Sequence, residues 1–230
     1  MHIVWTLIII CCFLFLLYIL IPAFAKIILR HFFLLSLKKE CVYLTFDDGP
    51  NPESTPQILA ILKKHEIKAT FFITGRNIEK NPALINQIIF DGHGLGIHGY
   101  DHLHAWKTAP VKTLIDFLKF NQACANHGIP EEKLNLYRPP YGKLNIISLI
   151  YILLTKKKII FWDIDPNDYS ASSSQAVIDS VQDVLETGNV ILLHDGRSNL
   201  ENSPVSITIN SLEPIIITIK NRGRSFCSFN

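Results

Sequence analysis

The chain has 230 residues, 48% of them hydrophobic, with 22 Lys and Arg against 20 Asp and Glu. That length holds one ordinary domain and a short appendage, with no room for a second independent core. A net charge of +2, with no basic run interleaved with aromatics, excludes a nucleic-acid binder. The five cysteines show no C-x-x-C spacing and two of them, Cys11 and Cys12, sit in an apolar run, so no disulfide framework is expected.

The first element is the N-terminal run itself. From Ile3 to Ala25 the chain carries no formal charge, and at about 1.5 Å per residue it can cross a hydrocarbon core of about 30 Å. Ala23-Phe24-Ala25 has the small-x-small form of a signal-peptidase site. The run nevertheless exceeds the roughly 7–15 residues of a signal h-region, and only His2 and the amino terminus precede it. Residues 1–25 are therefore expected to be an uncleaved transmembrane anchor of a single-pass membrane protein. Residues 26–40 follow as a juxtamembrane segment and 41–230 as a globular domain. Lys26, Arg30, Lys38 and Lys39 all follow the span, which by the positive-inside rule favours a cytoplasmic domain over an outward-facing one. Ile27 to Leu37 is apolar apart from Arg30, His31 and Ser36 and reads as an interfacial amphipathic helix.

From Cys41 short β-type runs alternate with helical ones. Strands are expected at Cys41–Phe46, Ala69–Thr74, Gly94–His98, Leu134–Tyr137, Ile159–Trp162, Val190–Leu193 and Ser225–Phe229. Between them, Thr55-Pro56 opens a helix striped with Ile58, Leu59, Ile61 and Leu62, and Asn81-Pro82 opens a second. Val111, Leu114, Ile115 and Leu118 mark a third. Ile146–Leu154 is apolar almost all round and far too short to span, so it is read as a helix buried between neighbours, a membrane-contacting face being the alternative. Helices over Ser174–Glu186 and Ser206–Lys220 complete the series. Repeated strand–helix units call for a parallel sheet covered by helices, and about seven of them for a distorted (β/α) barrel.

The unusual polar residues fall just after the expected strands, where such a barrel gathers its chemistry at one rim. Asp47 and Asp48 follow the first strand, His98 and His102 the third, Arg138 the fourth, Asp165 and Asp168 the fifth, and His194 ends the sixth. His98 and His102, four apart, share a face on a helical turn. Two imidazoles and a carboxylate suit a divalent ion such as zinc and leave positions for water. One of Asp47 and Asp48 can bind the ion while the other takes a proton; spacing does not say which. Asp-Gly-Pro is also good turn chemistry. His93 and His104 are read as surface or loop histidines. Arg138 is suited to orienting a carboxylate, and one of Asp163, Asp165 and Asp168 to holding His194. Tyr141, Trp162 and Tyr169 offer aromatic faces near the rim.

T-F-D-D-G-P at Thr45–Pro50 resembles the signature of the NodB-type polysaccharide deacetylases, carbohydrate esterase family 4. Four further segments match that family's motifs in order: H-G-Y-D-H-L from His98, R-P-P-Y from Arg138, Trp162 to Tyr169, and Leu192-Leu193-His194. The resemblance covers about residue 41 to the C-terminus. It implies a catalytic domain that removes an N-acetyl or N-formyl group from an amino sugar of a glycan, peptidoglycan or lipid-linked saccharide. One divalent ion, Zn²⁺ ahead of Co²⁺, Mn²⁺ or Ni²⁺, would sit on Asp48, His98 and His102. Asp47 would be the base, steadied by Arg138, and His194 the acid, paired with Asp165 ahead of Asp168. Pro140 and Tyr141 would border the substrate with Trp162 and Tyr169, the Tyr141 amide facing the oxyanion. Gly99 and Leu103 stand where the family usually has Ser or Thr and Pro.

Overall fold

The computed structural model describes residues 2–186, 188–197 and 205–229. It opens on one long helix, His2–Leu35, made of α1 (His2–Phe15), a π-helical stretch at Leu16–Leu20 and α2 (Ile21–Leu35). It is long and apolar enough to cross a membrane.

The rest is an α/β unit built in chain order from β1 (Cys41–Asp47), α3 (Thr55–Lys64), β2 (Thr70–Ile73), α4 (Gly75–Lys80), α5 (Pro82–Phe90), β3 (Gly94–Ile97) and α6 (Pro110–Asn126). It continues through β4 (Leu136–Tyr137), α7 (Ile146–Thr155), β5 (Lys158–Ile159), α8 (Ser174–Val184), β6 (Val190–His194), α9 (Ser206–Asn221) and β7 (Ser225–Cys227). All seven expected strands form, and every pairing between them is parallel. The order is β5-β4-β3-β2-β1-β6, with β7 also on β1. The sheet curls into an incomplete barrel. Helix α4 was not expected; it fills the gap between β2 and the Asn81-Pro82 helix start.

The period-two rule explains how β1 can be both core and site. Val42, Leu44 and Phe46 enter the main apolar core under the helices. Cys41 and Tyr43 join a second cluster on the concave side with Val190, Phe33, Leu37 and Phe229. Asp47 continues that alternation and so faces the hollow of the barrel.

Two expectations need correction, and one expected helix turns its apolar stripe outward. Cys41 and Cys227 form a disulfide, Cα–Cα 5.6 Å, across the β1–β7 pair. Helix α7 is not buried between neighbours, since Leu153 and Leu154 are 75% and 78% exposed. In α6 the face turned inward carries Thr113, Asp116, Phe117, Phe120 and Cys124, while Val111, Leu114, Ile115 and Leu118 point outward.

The expected juxtamembrane segment does not lie apart from the barrel. The Phe33 ring packs against Phe161 and Phe229, and Arg30 donates to the Trp162 carbonyl at 3.0 Å. Tyr18 donates to the Thr108 carbonyl at 2.6 Å and accepts from Asn145 Nδ2 at 2.8 Å. Helix α2 thus covers the open side of the curled sheet.

Candidate active site

Parallel pairing places Asp47 directly beside His194, the last residues of β1 and β6. Asp47 is 3% exposed. Arg138, fully buried, donates from one terminal nitrogen to Asp47 Oδ1 and to Thr45 Oγ1, each at 2.8 Å. Its guanidinium lies 4.1 Å from the Phe72 ring centroid. The arginine is therefore no surface ion pair: it is a fixed positive charge under the Asp47 carboxylate. Burial pushes the Asp47 pKa up, and the Arg138 charge opposes that.

Period-two alternation would send Asp48 to the helix side. A left-handed backbone at this residue, φ 74°, turns it back to the rim. Its Oδ1 lies 3.2 Å from His102 Nε2 and 3.6 Å from His98 Nε2. His98 Nδ1 is 2.8 Å from the Arg138 carbonyl, which can only accept, so Nδ1 carries the proton and Nε2 presents its lone pair to Asp48. Burial, helped by the nearby His102, lowers the His98 pKa to about 3 and keeps the ring neutral. Ligands bound at about 2.0–2.2 Å to one tetrahedral ion lie roughly 3.4 Å apart. The separations of 3.2 and 3.6 Å bracket that value, and the three ligand atoms all lie within 4.8 Å of one another. The residues present fit a divalent metal ion.

His102 also has a positive φ, 53°, and its loop is held by a residue that sequence reading passed over. Asp116 on α6 accepts from the amides of Tyr100 and Asp101 at 2.9 and 2.8 Å. A Cβ on Gly99, φ +78°, would meet Asp116 Oδ2 at 2.9 Å. Glycine at 99 is thus the counterpart of a buried carboxylate bracing the metal loop. The available signal was an aspartate on the inward face of α6, spaced with Thr113 and Phe120.

His194 pairs with Asp168, not with Asp165. Its Nδ1 is 2.7 Å from Asp168 Oδ1, and its amide donates to Oδ2 at 2.8 Å. Thr208 Oγ1 also donates to Oδ2, at 2.6 Å. Asp165 is exposed and closes a local turn by accepting from the Asn167 amide at 3.1 Å. Asp163 caps β6 by accepting from the Asn189 and Val190 amides. Burial alone would lower the His194 pKa, but the Asp168 hydrogen bond and the charges of Asp168, Asp48 and Asp47 raise it to about 9.

Asp47, Asp48, His98, His102 and His194 line a cleft of about 460 Å³ together with Tyr141, Trp162, Asp165, Tyr169 and Arg197. Tyr141 also has a left-handed backbone, φ 55°, and is 47% exposed, its ring 4.6 Å from that of His102. Tyr169 meets the His194 ring edge-on at 5.3 Å. Pro140 is buried and supports the turn that presents Tyr141. Unexpected, too, is Asp195, fully buried behind the rim. It accepts from Thr55 Oγ1 at 2.6 Å, and its amide donates to the Asp47 carbonyl at 3.1 Å. A Cβ on Gly49 would come within 2.1 Å of it. Burial and the charges of Asp48 and Asp47 raise its pKa to about 7. His93 is buried rather than superficial, its Nδ1 accepting from the Ala69 amide at 3.1 Å. The His104 ring packs 5.0 Å from Tyr141 at the cleft edge.

The polysaccharide deacetylase family profile matches residues 35–151. The chain is 34% identical over 189 residues to a chitooligosaccharide deacetylase of Sinorhizobium fredii, covering 79% of this chain and 86% of that one. The chain belongs to the polysaccharide deacetylase family. A peptidoglycan-N-acetylglucosamine deacetylase of Bacillus cereus is 29% identical over 82% of this chain and 85% of its own. Among solved structures, the Bc1960 peptidoglycan N-acetylglucosamine deacetylase superposes with a TM-score of 0.73 at 30% identity, covering 84% of this chain and 87% of that one. As a polysaccharide deacetylase the chain keeps an aspartate, arginine or histidine at the rim positions 47, 48, 98, 102, 138 and 194. Its fourth-motif partner for His194 is Asp168.

Proposed function

We propose that this polysaccharide deacetylase hydrolyses the N-acyl amide, foremost N-acetyl, of an amino sugar. The observation that carries the reading is the convergence of Asp47, His194 and the Asp48–His98–His102 set in one cleft. Asp48, His98 and His102 would hold the divalent ion, Zn²⁺ in the first instance, which when bound lowers the pKa of a coordinated water and polarises a carbonyl. Asp47 takes the proton of the attacking water, its charge and aim fixed by Arg138. The Tyr141 amide donates to the oxygen that gains charge. His194, protonated and held by Asp168, gives its proton to the departing sugar amine. Trp162 and Tyr169 offer faces to the sugar ring. Release of acetate from N-acetylated chito-oligosaccharides or peptidoglycan fragments tests this. A chelator is expected to abolish the release, and added Zn²⁺ or Co²⁺ to restore it. Chelator-insensitive release would sink the metal assignment, and formate from an N-formyl sugar would shift the acyl group.

The His194 charge sets the alkaline side of the pH profile. A pKa raised to about 9 means that the acid form persists through neutral pH and is lost as pH rises toward that value. A bound cation opposes the shift and moves the limb below it. Removing the Asp168 charge lowers the His194 pKa further. Asp168→Asn is therefore expected to move the alkaline limb of kcat to lower pH by at least about one unit. An unmoved limb would remove His194 from the acid role.

For sidedness, the Cys41–Cys227 disulfide outweighs the charge count after the span, because such bonds persist in oxidising compartments. On this reading the domain lies outside the cytoplasm, tethered by the N-terminal helix. Trapping thiols in intact cells with a maleimide before denaturation is expected to leave Cys41 and Cys227 unlabelled without reductant. Labelling of both would return the domain to the cytoplasmic side.

A further inference from the structure

Within the helix His2–Leu35, lysine and arginine occur only at positions 26 and 30. Four apart, they share a face, and it is the face turned to the barrel. Lys26, Arg30 and Phe33 are half-buried there, while Phe24, Ile27 and Phe32 stay exposed. A guanidinium drawn out of water needs an acceptor. Arg30 finds it in the Trp162 carbonyl, at 3.0 Å. Asp163 and Asp165 line the same hollow of about 200 Å³ between helix and rim. They are engaged elsewhere, Asp163 by the Asn189 and Val190 amides and Asp165 by the Asn167 amide.

The choice of acceptor matters because of where Trp162 stands. Strand β5 ends at Ile159, and the carbonyls of the three residues after it need partners other than a strand ladder. Two arginines supply them. Arg138, which also steadies Asp47, donates to the Ile160 and Phe161 carbonyls, each at 3.4 Å. Arg30 takes the third. The Trp162 ring so placed lines the catalytic cleft and joins the apolar cluster that holds Tyr43, Phe33 and Leu37. Its far edge closes on the turn that presents Tyr141, since a Cβ on Gly142 would meet Trp162 Cη2 at 2.8 Å. The polysaccharide deacetylase profile begins at residue 35, so Arg30 lies outside the matched segment.

We propose that Arg30 is a positioning residue of the active site: by fixing the Trp162 backbone it sets the aromatic wall against which the sugar ring rests. The N-terminal helix is then a working part of the sugar-binding cleft as well as a tether. This rests on the hydrolase reading above and adds a residue to it.

The test uses the full-length protein in phosphatidylcholine vesicles with an N-acetylated chito-oligosaccharide. Arg30→Met keeps most of the side-chain volume and removes the donor. It is expected to raise KM about five- to tenfold, with kcat, bound metal and Tm near wild type. Arg30→Lys, which keeps one donor for one carbonyl, is expected to recover part of the loss. In a Trp162→Ala background, where no ring is left to place, Arg30→Met should change KM less than about twofold. An unchanged KM in Arg30→Met overturns the proposal, and so does a full further rise in the Trp162→Ala background. A joint fall of kcat, metal content and Tm would make the arginine a structural contact only and overturns it too. If no variant, wild type included, releases acetate, the hydrolase reading fails instead. Acrylamide quenching of tryptophan fluorescence then decides the positioning role. Arg30→Met should increase quenching in the wild-type background and leave it unchanged in Trp162→Phe; equal quenching with and without Arg30 in both backgrounds overturns it.

Discussion

Asp47→Asn is expected to lower kcat about 10³-fold while KM and metal content stay near wild type. The size is that of a lost general base, about 10²–10⁴-fold. The side chain keeps its volume and one oxygen for Arg138, and the three ligand candidates are untouched. The effect should therefore appear in turnover and not in folding. His98→Ala is the contrasting variant. It removes a ligand nitrogen whose ring is set by the Arg138 carbonyl, so activity and bound metal should fall together. Metal analysis and steady-state kinetics on the two variants separate the roles. Full turnover in Asp47→Asn would leave the proton-accepting step without a residue.

Arg138→Met should cost the largest share of stability, about 3–5 kcal/mol at neutral pH by thermal or denaturant unfolding, as for one partner removed from a buried ion pair. Arg138 and Asp47 are 0% and 3% exposed, so the orphaned carboxylate loses its buried counter-charge. The sign with pH follows from the raised Asp47 pKa. An acid whose folded pKa lies above its unfolded value destabilises the fold once pH exceeds the unfolded value, and removing Arg138 raises the folded pKa further. The loss relative to wild type should therefore be small until the pH passes the raised folded pKa of Asp47 and grow above it, because the unfolded value is common to both proteins. Adding Asp47→Asn to Arg138→Met should recover much of it. No recovery would mean that the arginine stabilises mainly by packing on Phe72 and by its bonds to Thr45 and the carbonyls of Ile160 and Phe161.

Part of the site was legible before any coordinates because it rests on local rules. A strand that ends in two carboxylates, or in a histidine, brings them to a common rim once parallel pairing is granted. Asp47, His98 and His194 needed no more than that, whereas Asp48 reaches the rim through a left-handed backbone. The errors came where a choice depended on distance in space. Asp165 and Asp168 both follow the fifth strand, and nothing in their spacing says which one reaches His194. It is the one beneath Thr208 of α9. Gly99 looked like a weakened motif until Asp116, arriving from α6, showed why a side chain there would collide. The exposed face of α7 misled for the opposite reason, since an apolar helix does not say what covers it.

The amino-acid pattern alone determined the parallel α/β architecture, the long apolar N-terminal helix and the charged rim. Alternation, turn chemistry and length are encoded within a few residues of each position. Folding in three dimensions decided which aspartate pairs with His194, the joining of Cys41 to Cys227, and the docking of α2 along the barrel's open side. Those outcomes are contacts between segments 26 to 186 residues apart, and no local preference along the chain specifies them.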